Sequence, residues 1–139
     1  EVNVFGTWWL TKYAIPHLRE SDDGNIVNIT SIAGVRPVGS SMAYAMTKAA
    51  LNHMTVLLAK SYGPIRVNAV APWYIRTPLA NQVLEDPGFL KSVLERTPMG
   101  RVGEVEECAR AIVFLCLPAA SYVTGQCLAV DGGFSVYGF

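Results

Sequence analysis

Two short apolar runs, separated by a long helical segment, constrain the fold of this chain most strongly. Asn25 to Ile32 and Ile65 to Ala71 are rich in Ile, Val and Ala, which is typical of strands buried on both faces. Between them, Met42 to Ser61 consists of good helix formers. A strand, a helix and a second strand in this order predict a crossover connection, which makes the two strands parallel. We therefore expect an α/β fold with a doubly wound, Rossmann-like parallel sheet.

The remaining segments continue this alternation. The apolar pattern from Val2 to Arg19 predicts a helix, which Pro16 should kink or end early. Leu79 to Glu95 should be helical with a break at Asp86-Pro-Gly88. A further helix is predicted from Glu104 to Leu117, and a last short strand from Gln126 to Val130.

Composition excludes several classes of protein. The chain has 139 residues, of which 51% are hydrophobic and 16% are charged, and its formal net charge is zero. It can therefore bury a core, and it carries no excess charge for nucleic acid or an anionic membrane. No apolar run approaches the ~20 residues that span a bilayer, and the N-terminus lacks a signal-peptide pattern. Three cysteines without a zinc-ligand spacing indicate a reducing compartment, so we expect a cytoplasmic protein without a metal.

The segment Tyr44-Ala-Met-Thr-Lys48 carries the clearest chemical signal. Residues four apart lie on one face of a helix, so the ammonium should sit near the phenol. A nearby positive charge favours the ionised phenol, which can then exchange a proton with a carbonyl oxygen near working pH. Ser31 lies thirteen positions upstream and can hold that oxygen, whereas Thr30 should point to the opposite face of the strand.

These motifs, in this order, resemble the C-terminal part of the short-chain dehydrogenase/reductase family. The resemblance implies that residues 1–139 are the catalytic and substrate-binding part of a single domain of that kind. It implies that Tyr44 is the acid/base, that Lys48 binds the nicotinamide ribose and that Ser31 orients the carbonyl. Asn3, in Val2-Asn-Val-Phe-Gly6, resembles the asparagine that holds a water in a proton relay with the lysine.

A second matching segment is Pro72-Trp-Tyr-Ile-Arg-Thr77, which in the family usually reads Pro-Gly-x-x-x-Thr. The resemblance implies that backbone groups near Ile75 meet the nicotinamide carboxamide and that the Thr77 hydroxyl meets the cofactor. Trp73 in place of the glycine should narrow the pocket. The implied cofactor-binding residues are Tyr44, Lys48, Pro72, Ile75 and Thr77, and the implied substrate-binding residues are Ser31, Tyr44, Trp73 and Tyr74.

Three further segments resemble tropinone reductase-like members of the family: Ala71 to Leu79, Phe114 to Ser121, and Gly138-Phe139. Leu79 to Met99 is expected to form a mobile lid. The apolar side chains Val83, Leu84, Phe89, Leu90 and Leu94 either face the ligand or form the core of a small helical pair.

The implied activity is interconversion of a ketone and a secondary alcohol with NADP or NAD, NADP being slightly preferred. The expected ligand is a small hydrophobic ketone or alcohol, which the aromatic residues Trp73 and Tyr74 favour. A cyclic amino-ketone, a steroid- or terpenoid-like ketone, a sugar and an acyl thioester remain alternative substrates. We also expect a homodimer or homotetramer, since an apolar face carrying Trp8, Trp9, Met54 and Leu58 exceeds what one small sheet covers. No nucleic-acid or membrane partner is expected.

Two alternatives stay open. The twelve glycines form neither G-x-G-x-x-G nor G-x-x-x-G-x-G, so the turn that holds a dinucleotide should lie N-terminal to Glu1, together with the residue that selects NADPH or NADH. The chain therefore looks like the second half of a subunit, and a non-catalytic role in assembly is one alternative. The other is a dehalogenase that uses Ser-Tyr-Arg, against which Lys48 argues.

Overall fold

The protein folds around a three-stranded parallel sheet in the order β1-β2-β3. The computed structural model describes residues 2–137. The α/β prediction is confirmed. The strands are β1 (Asn25–Ile29), β2 (Arg66–Pro72) and β3 (Cys127–Val130). The helices are α1 (Thr7–Arg19), α2 (Met42–Ser61), α3 (Pro78–Leu84), α4 (Pro87–Glu95) and α5 (Val105–Cys116), and a π-helical turn (Val2–Gly6) precedes α1.

The central strand β2 separates two layers of helices. Side chains alternate between the faces of a strand, so the neighbours Arg66 and Val67 point in opposite directions. Val67 is buried with Ile15 of α1 and Leu58 of α2. The guanidinium of Arg66 donates instead to the carbonyl of Leu115 at the end of α5 (2.6 Å). Helices therefore cover both faces, as in a doubly wound sheet.

A buried hydrogen bond fixes α2 against the sheet. Asn28 Nδ2 in β1 donates to Thr55 Oγ1 in α2 (2.9 Å), and Thr55 Oγ1 donates to the carbonyl of Leu51 (2.9 Å). Leaving one such buried partner unsatisfied costs about 1–3 kcal/mol. Since α2 carries Tyr44 and Lys48, this contact sets their position relative to β1.

α2 begins and ends at the predicted residues. The helix stops after Ser61 because Tyr62-Gly-Pro64 cannot continue it. The predicted break in the next helical segment is also confirmed. Asp86 caps α4 by accepting a hydrogen bond from the Phe89 backbone N–H (2.6 Å), and Pro87 occupies the first turn. The break is thus the start of a new helix.

The end of β1 differs from the prediction. β1 ends at Ile29 and not at Ile32, because Ile32–Gly34 forms a 3₁₀ turn. The Ser31 hydroxyl caps that turn by accepting a hydrogen bond from the Ala33 backbone N–H (3.2 Å). α1 ends at Arg19 as predicted, and Pro16 lies inside the helix, so of the two effects expected of this proline the early stop is wrong.

The apolar surface also differs from the prediction. Leu58 is only 3% exposed and Met54 packs against the same core, so these two side chains face the sheet. Trp8 and Trp9 are exposed, Trp9 by 48%. Other large exposed apolar side chains on these helices are Leu10 and Tyr13 on α1 and Met42, Tyr44, Met46, Val56 and Leu57 on α2.

Within residues 2–137, none of the helices combines the length and the apolar character that crossing a membrane requires.

Candidate active site

A cavity of ≈ 690 Å³ lies where β1 and β2 end. Ligands of open α/β sheets bind at the carboxyl ends of the strands, and the volume is within the usual range for small-molecule sites. Ser31 contributes from the end of β1, and Tyr44 and Lys48 contribute from α2. The end of β2 and the segment after it contribute Pro72, Trp73, Tyr74, Ile75 and Thr77. The structure therefore brings together most of the site residues expected from the sequence.

The two hydroxyls that follow β1 have different environments. Thr30 is buried, and its hydroxyl donates to the carbonyl of Val70 (3.1 Å). Ser31 is only partly buried, and its oxygen accepts from the Ala33 N–H. The hydroxyl hydrogen of Ser31 thus stays available to donate towards the cavity. The expectation that Ser31, and not Thr30, orients the carbonyl oxygen needs such a hydrogen.

Tyr44 and Lys48 lie one helical turn apart on the cavity side of α2. Tyr44 is 40% exposed, and the Lys48 ammonium lies 5.6 Å from the centroid of its ring. Lys48 Nζ donates to the carbonyl of Ile29, the last residue of β1 (2.9 Å). This bond holds the ammonium beside the phenol and ties α2 to the strand end. Burial lowers the pKa of Lys48 from the ordinary lysine value, since it penalises the charged form.

Asn3 contacts α2 through a hydrogen bond. Its side-chain amide donates to the hydroxyl of Thr47 (3.2 Å), and that hydroxyl donates to the carbonyl of Tyr44 (2.8 Å). Asn3 is not one of the described residues that line the cavity. It therefore affects the cavity indirectly, through the turn of α2 from Tyr44 to Lys48.

The segment after β2 presents backbone and hydroxyl groups to the cavity. Ile75 forms a parallel bridge with Gly103: Gly103 N–H donates to Tyr74 C=O (3.0 Å), and Arg76 N–H donates to Gly103 C=O (2.9 Å). Peptide groups alternate sides in an extended segment, so the N–H and C=O of Ile75 itself point away from Gly103. Thr77 Oγ1 accepts from the Ala80 N–H at the start of α3 (3.2 Å), which leaves its hydrogen to donate. These groups fit a carboxamide and a neighbouring polar ligand group.

A bidentate ion pair holds Gly103 in place beside Ile75. Arg101 donates two hydrogen bonds to Glu107 (2.7 and 2.8 Å), and Glu107 also accepts from the Glu104 backbone N–H (2.8 Å). The Arg101 hydrogen bond, followed by that of the Glu104 backbone, lowers the pKa of Glu107 to about 2. The first turn of α5 is thereby fixed next to the cavity.

Trp73 and Tyr74, the aromatic residues expected to bind substrate, form an aromatic wall of the cavity. The Trp73 ring stacks on Phe134 at 3.8 Å between centroids, and its N–H donates to Thr97 Oγ1 (3.2 Å). Tyr74 meets Phe89 edge to face at 5.6 Å, and burial raises the pKa of its phenol. The wall is therefore rigid, and Trp73 also connects the sheet to the helices α3 and α4.

The expected lid residues divide into two groups. Val83 is 44% exposed and lines the cavity, whereas Leu84 is 6% exposed and packs with Val93 and Val102. Phe89, Leu90 and Leu94 also pack against that buried cluster, so for these side chains the helical-pair core is the correct interpretation. The cavity is further lined by Gln82 and by Val105 and Cys108 of α5, which no motif in the sequence indicated.

Comparison with known proteins identifies the family. A family profile described as enoyl-(acyl carrier protein) reductase matches residues 1–135. The structure of a short-chain type dehydrogenase/reductase from Mycobacterium ulcerans is 38% identical, with a TM-score of 0.92 over 96% of this chain and 50% of that chain. This chain belongs to the short-chain dehydrogenase/reductase family.

Other relatives within the family agree with this assignment. A tropinone reductase homolog of Arabidopsis thaliana is 48% identical over 139 residues, which is 99% of this chain and 53% of the relative. A gluconate 5-dehydrogenase from Burkholderia cenocepacia, solved with NADP and tartrate, is 32% identical, with a TM-score of 0.93 over 99% of this chain and 55% of that chain. The chain thus spans about half the length of the relatives that it matches. Of the segments that resemble tropinone reductases, Gly138-Phe139 lies outside the described residues.

Proposed function

We propose that this chain is the catalytic and substrate-binding part of an NAD(P)(H)-dependent oxidoreductase that interconverts a ketone and a secondary alcohol. The observation that carries the proposal is the shared cavity of Ser31, Tyr44 and Lys48, with the Lys48 ammonium anchored to Ile29 C=O beside the phenol. The tropinone reductase homologs among its relatives support a ketone as the substrate class.

The proposed roles follow from the geometry. A bound nicotinamide cofactor supplies the hydride to the carbonyl carbon. Tyr44 donates a proton to the carbonyl oxygen as negative charge develops there, and Ser31 donates a hydrogen bond to the same oxygen. Lys48 keeps a positive charge beside the phenol, which stabilises negative charge as it develops there. Asn3 orients this turn of α2 through Thr47 and supports the proton path. The oxidative direction uses the same groups in reverse.

We assign the nicotinamide end of the cofactor to Pro72, Ile75 and Thr77, together with Tyr44 and Lys48. The outward-facing peptide groups of Ile75 and the free hydroxyl hydrogen of Thr77 match the donors and acceptor that a carboxamide needs. NADP is favoured over NAD because a structural relative was solved with NADP. Trp73 and Tyr74 then form the substrate wall, which suits a compact hydrophobic ketone.

Assembly and compartment complete the proposal. The exposed apolar side chains of α1 and α2, Trp9 among them, suit a homodimer or homotetramer. All three thiols in the described residues are free, which suits the cytoplasm.

A second candidate is a non-catalytic half-subunit that serves in assembly. The 139 residues contain no glycine-rich dinucleotide turn, which favours this alternative for the chain by itself. The two candidates differ in whether a complete subunit containing this chain consumes NADPH or NADH with a ketone.

The test uses a complete subunit that contains this chain. We expect Tyr44→Phe to lower kcat at least ~10²-fold, the usual contribution of a positioned acid–base group, while cofactor binding persists. Tyr122→Phe is the matched control, because Tyr122 is a fully exposed tyrosine outside α1 and α2 and outside the cavity lining. Near-normal turnover of Tyr44→Phe would remove this residue from the mechanism.

A further inference from the structure

The aromatic wall of the catalytic cavity leads to a second, positively charged region. A cavity of ≈ 280 Å³ shares Val38, Gly39, Trp73 and Tyr74 with the catalytic cavity and extends to Phe134 and Arg96. A third cavity of ≈ 450 Å³ shares Arg96 and Phe134 with the second and adds Arg36. We call Arg36, Arg96, Phe134 and Tyr137 the arginine groove.

Arg96 is held in position by aromatic rings. Its guanidinium carbon lies 5.7 Å from the centroid of Phe134 and 5.8 Å from that of Tyr137, the range of cation–π contact. Phe134 in turn stacks on Trp73. Arg96 is exposed beside these rings, and its planar guanidinium can bind a carboxylate through two hydrogen bonds.

Positive charge in this region is not balanced by lining carboxylates. Within residues 2–137, three charged side chains line the catalytic cavity, the second cavity and the third cavity: Lys48, Arg36 and Arg96. Two nearby acids are engaged elsewhere: Glu95 pairs with Lys91, and Asp131 accepts from the backbone N–H groups of Gly133 and Ser135. An anionic ligand group is therefore favoured at this end, and a cationic one is disfavoured.

The cofactor does not account for these arginines. The lining of the second and third cavities includes neither Ile75 nor Thr77, the residues assigned to the nicotinamide end. The arginine groove lies instead beyond Trp73, on the side assigned to the substrate.

We propose that the substrate is an apolar ketone, or the corresponding alcohol, that carries a carboxylate bound by Arg96 and Arg36 while its carbonyl lies at Tyr44. This rests on the function proposed above. In the reductive direction the carbonyl carbon gains a hydride, the carbonyl oxygen gains a proton and the carboxylate is unchanged. The groove then selects against amino-ketones that are cationic at neutral pH.

Matched ketones test the proposal in a complete subunit containing this chain. The substrates are 4-acetylbenzoate and the longer 3-(4-acetylphenyl)propanoate, their methyl esters, and the cationic 4-(aminomethyl)acetophenone. For at least one of the two carboxylates, we expect kcat/KM to be about tenfold or more above kcat/KM for its methyl ester. The difference from kcat/KM for the cationic amine should be larger still. A carboxylate preference absent at both lengths would overturn the proposal.

Variants locate the preference. Arg96→Met should lower the carboxylate-to-ester ratio of kcat/KM about tenfold, equivalent to ~1.4 kcal/mol. Arg36→Met should act in the same direction. The control is Arg19→Met, because Arg19 also lies over an aromatic ring, at 5.6 Å from the Tyr62 centroid, but at the end of α1. An unchanged ratio in Arg96→Met contradicts the assignment.

A binding measurement separates this inference from the proposed function. Calorimetry compares benzoate with neutral benzamide on the same complete subunit and on Arg96→Met. Tighter binding of benzoate that is lost in Arg96→Met supports the groove even if no ketone is reduced, in which case only the proposed reaction fails. Equal binding of the two probes overturns the groove.

Discussion

Gly34 controls how closely the loop after β1 approaches the catalytic helix. A Cβ atom built on Gly34 would lie 2.5 Å from the backbone carbon of Lys48, 2.6 Å from the Ala49 nitrogen and 2.8 Å from the Lys48 carbonyl oxygen. Asn52 Nδ2 also donates to the Gly34 carbonyl (3.1 Å). Substituting Gly34 with alanine therefore forces apart the two elements that carry Ser31 and Lys48.

The size of the effect follows from these distances. Ordinary contact begins at 3.4 Å, so the loop or α2 must shift by about 0.9 Å, because the opposing atoms are backbone and cannot rotate away. A misplacement of about 1 Å in a catalytic group costs up to ~10²-fold in rate. We expect Gly34→Ala to lower kcat/KM by about this factor and to destabilise the fold by about 1–3 kcal/mol, the usual cost of overpacking.

The control lies away from the cavity. An added Cβ at Gly63, just after α2, meets no atom within 4 Å, so Gly63→Ala should leave both rate and stability nearly unchanged. Ketone reduction by complete subunits is followed by NADPH absorbance, and stability by urea unfolding, which shows whether the variant enzyme is folded during the assay.

The result for Gly34→Ala decides the argument. If this variant keeps kcat/KM within about threefold of the parent, the close approach of the loop to α2 does not set the catalytic geometry. If it unfolds completely, the milder Asn52→Ala, which removes the hydrogen bond to the Gly34 carbonyl without adding volume, should still lower kcat/KM.

The other predictions concern the lysine, the cofactor and assembly. Lys48→Met removes the ammonium beside Tyr44, so we expect the pH–rate profile of alcohol oxidation to move to higher pH and the cofactor Kd to rise; if neither changes, the pairing is wrong. Residues 1–139 alone should bind NADPH or NADH no tighter than about millimolar, roughly −4 kcal/mol, and a micromolar Kd by calorimetry would contradict this. Light scattering of a complete subunit should give a dimer or tetramer, and a monomer mass at micromolar concentration would count against assembly through α1 and α2.

Local signals made several features predictable from sequence. The end of α2 follows from Gly63 and Pro64, and the start of α4 follows from Asp86 with Pro87, because these residues act through their own backbone conformation or cap. The positions of Tyr44 and Lys48 on one face follow from helical spacing. Such features need no knowledge of distant residues.

Features that depend on distant contacts were not predictable in the same way. Ile32 is as apolar as the strand residues before it, but the strand ends at Ile29 because Ser31 caps a turn that begins at Ile32. Val83 and Leu84 are adjacent and both apolar, and only the packing of Val93 and Val102 decides which one is buried. The indole of Trp73 stacks on Phe134, which is distant in the sequence. Because the arginine groove beyond Trp73 depends on this distant contact, no local sequence pattern could predict the groove.

The most direct test of the central claim follows the hydrogen atom itself. A complete subunit containing this chain is given a ketone and NADPH carrying deuterium at C4 of the nicotinamide, and the alcohol is analysed by mass spectrometry. Hydride transfer with Tyr44 as the acid predicts one deuterium on the carbinol carbon, formed at least ~10²-fold more slowly by Tyr44→Phe. An alcohol without deuterium when each face of C4 is labelled in turn, or no alcohol from any ketone tested, would contradict the proposed function.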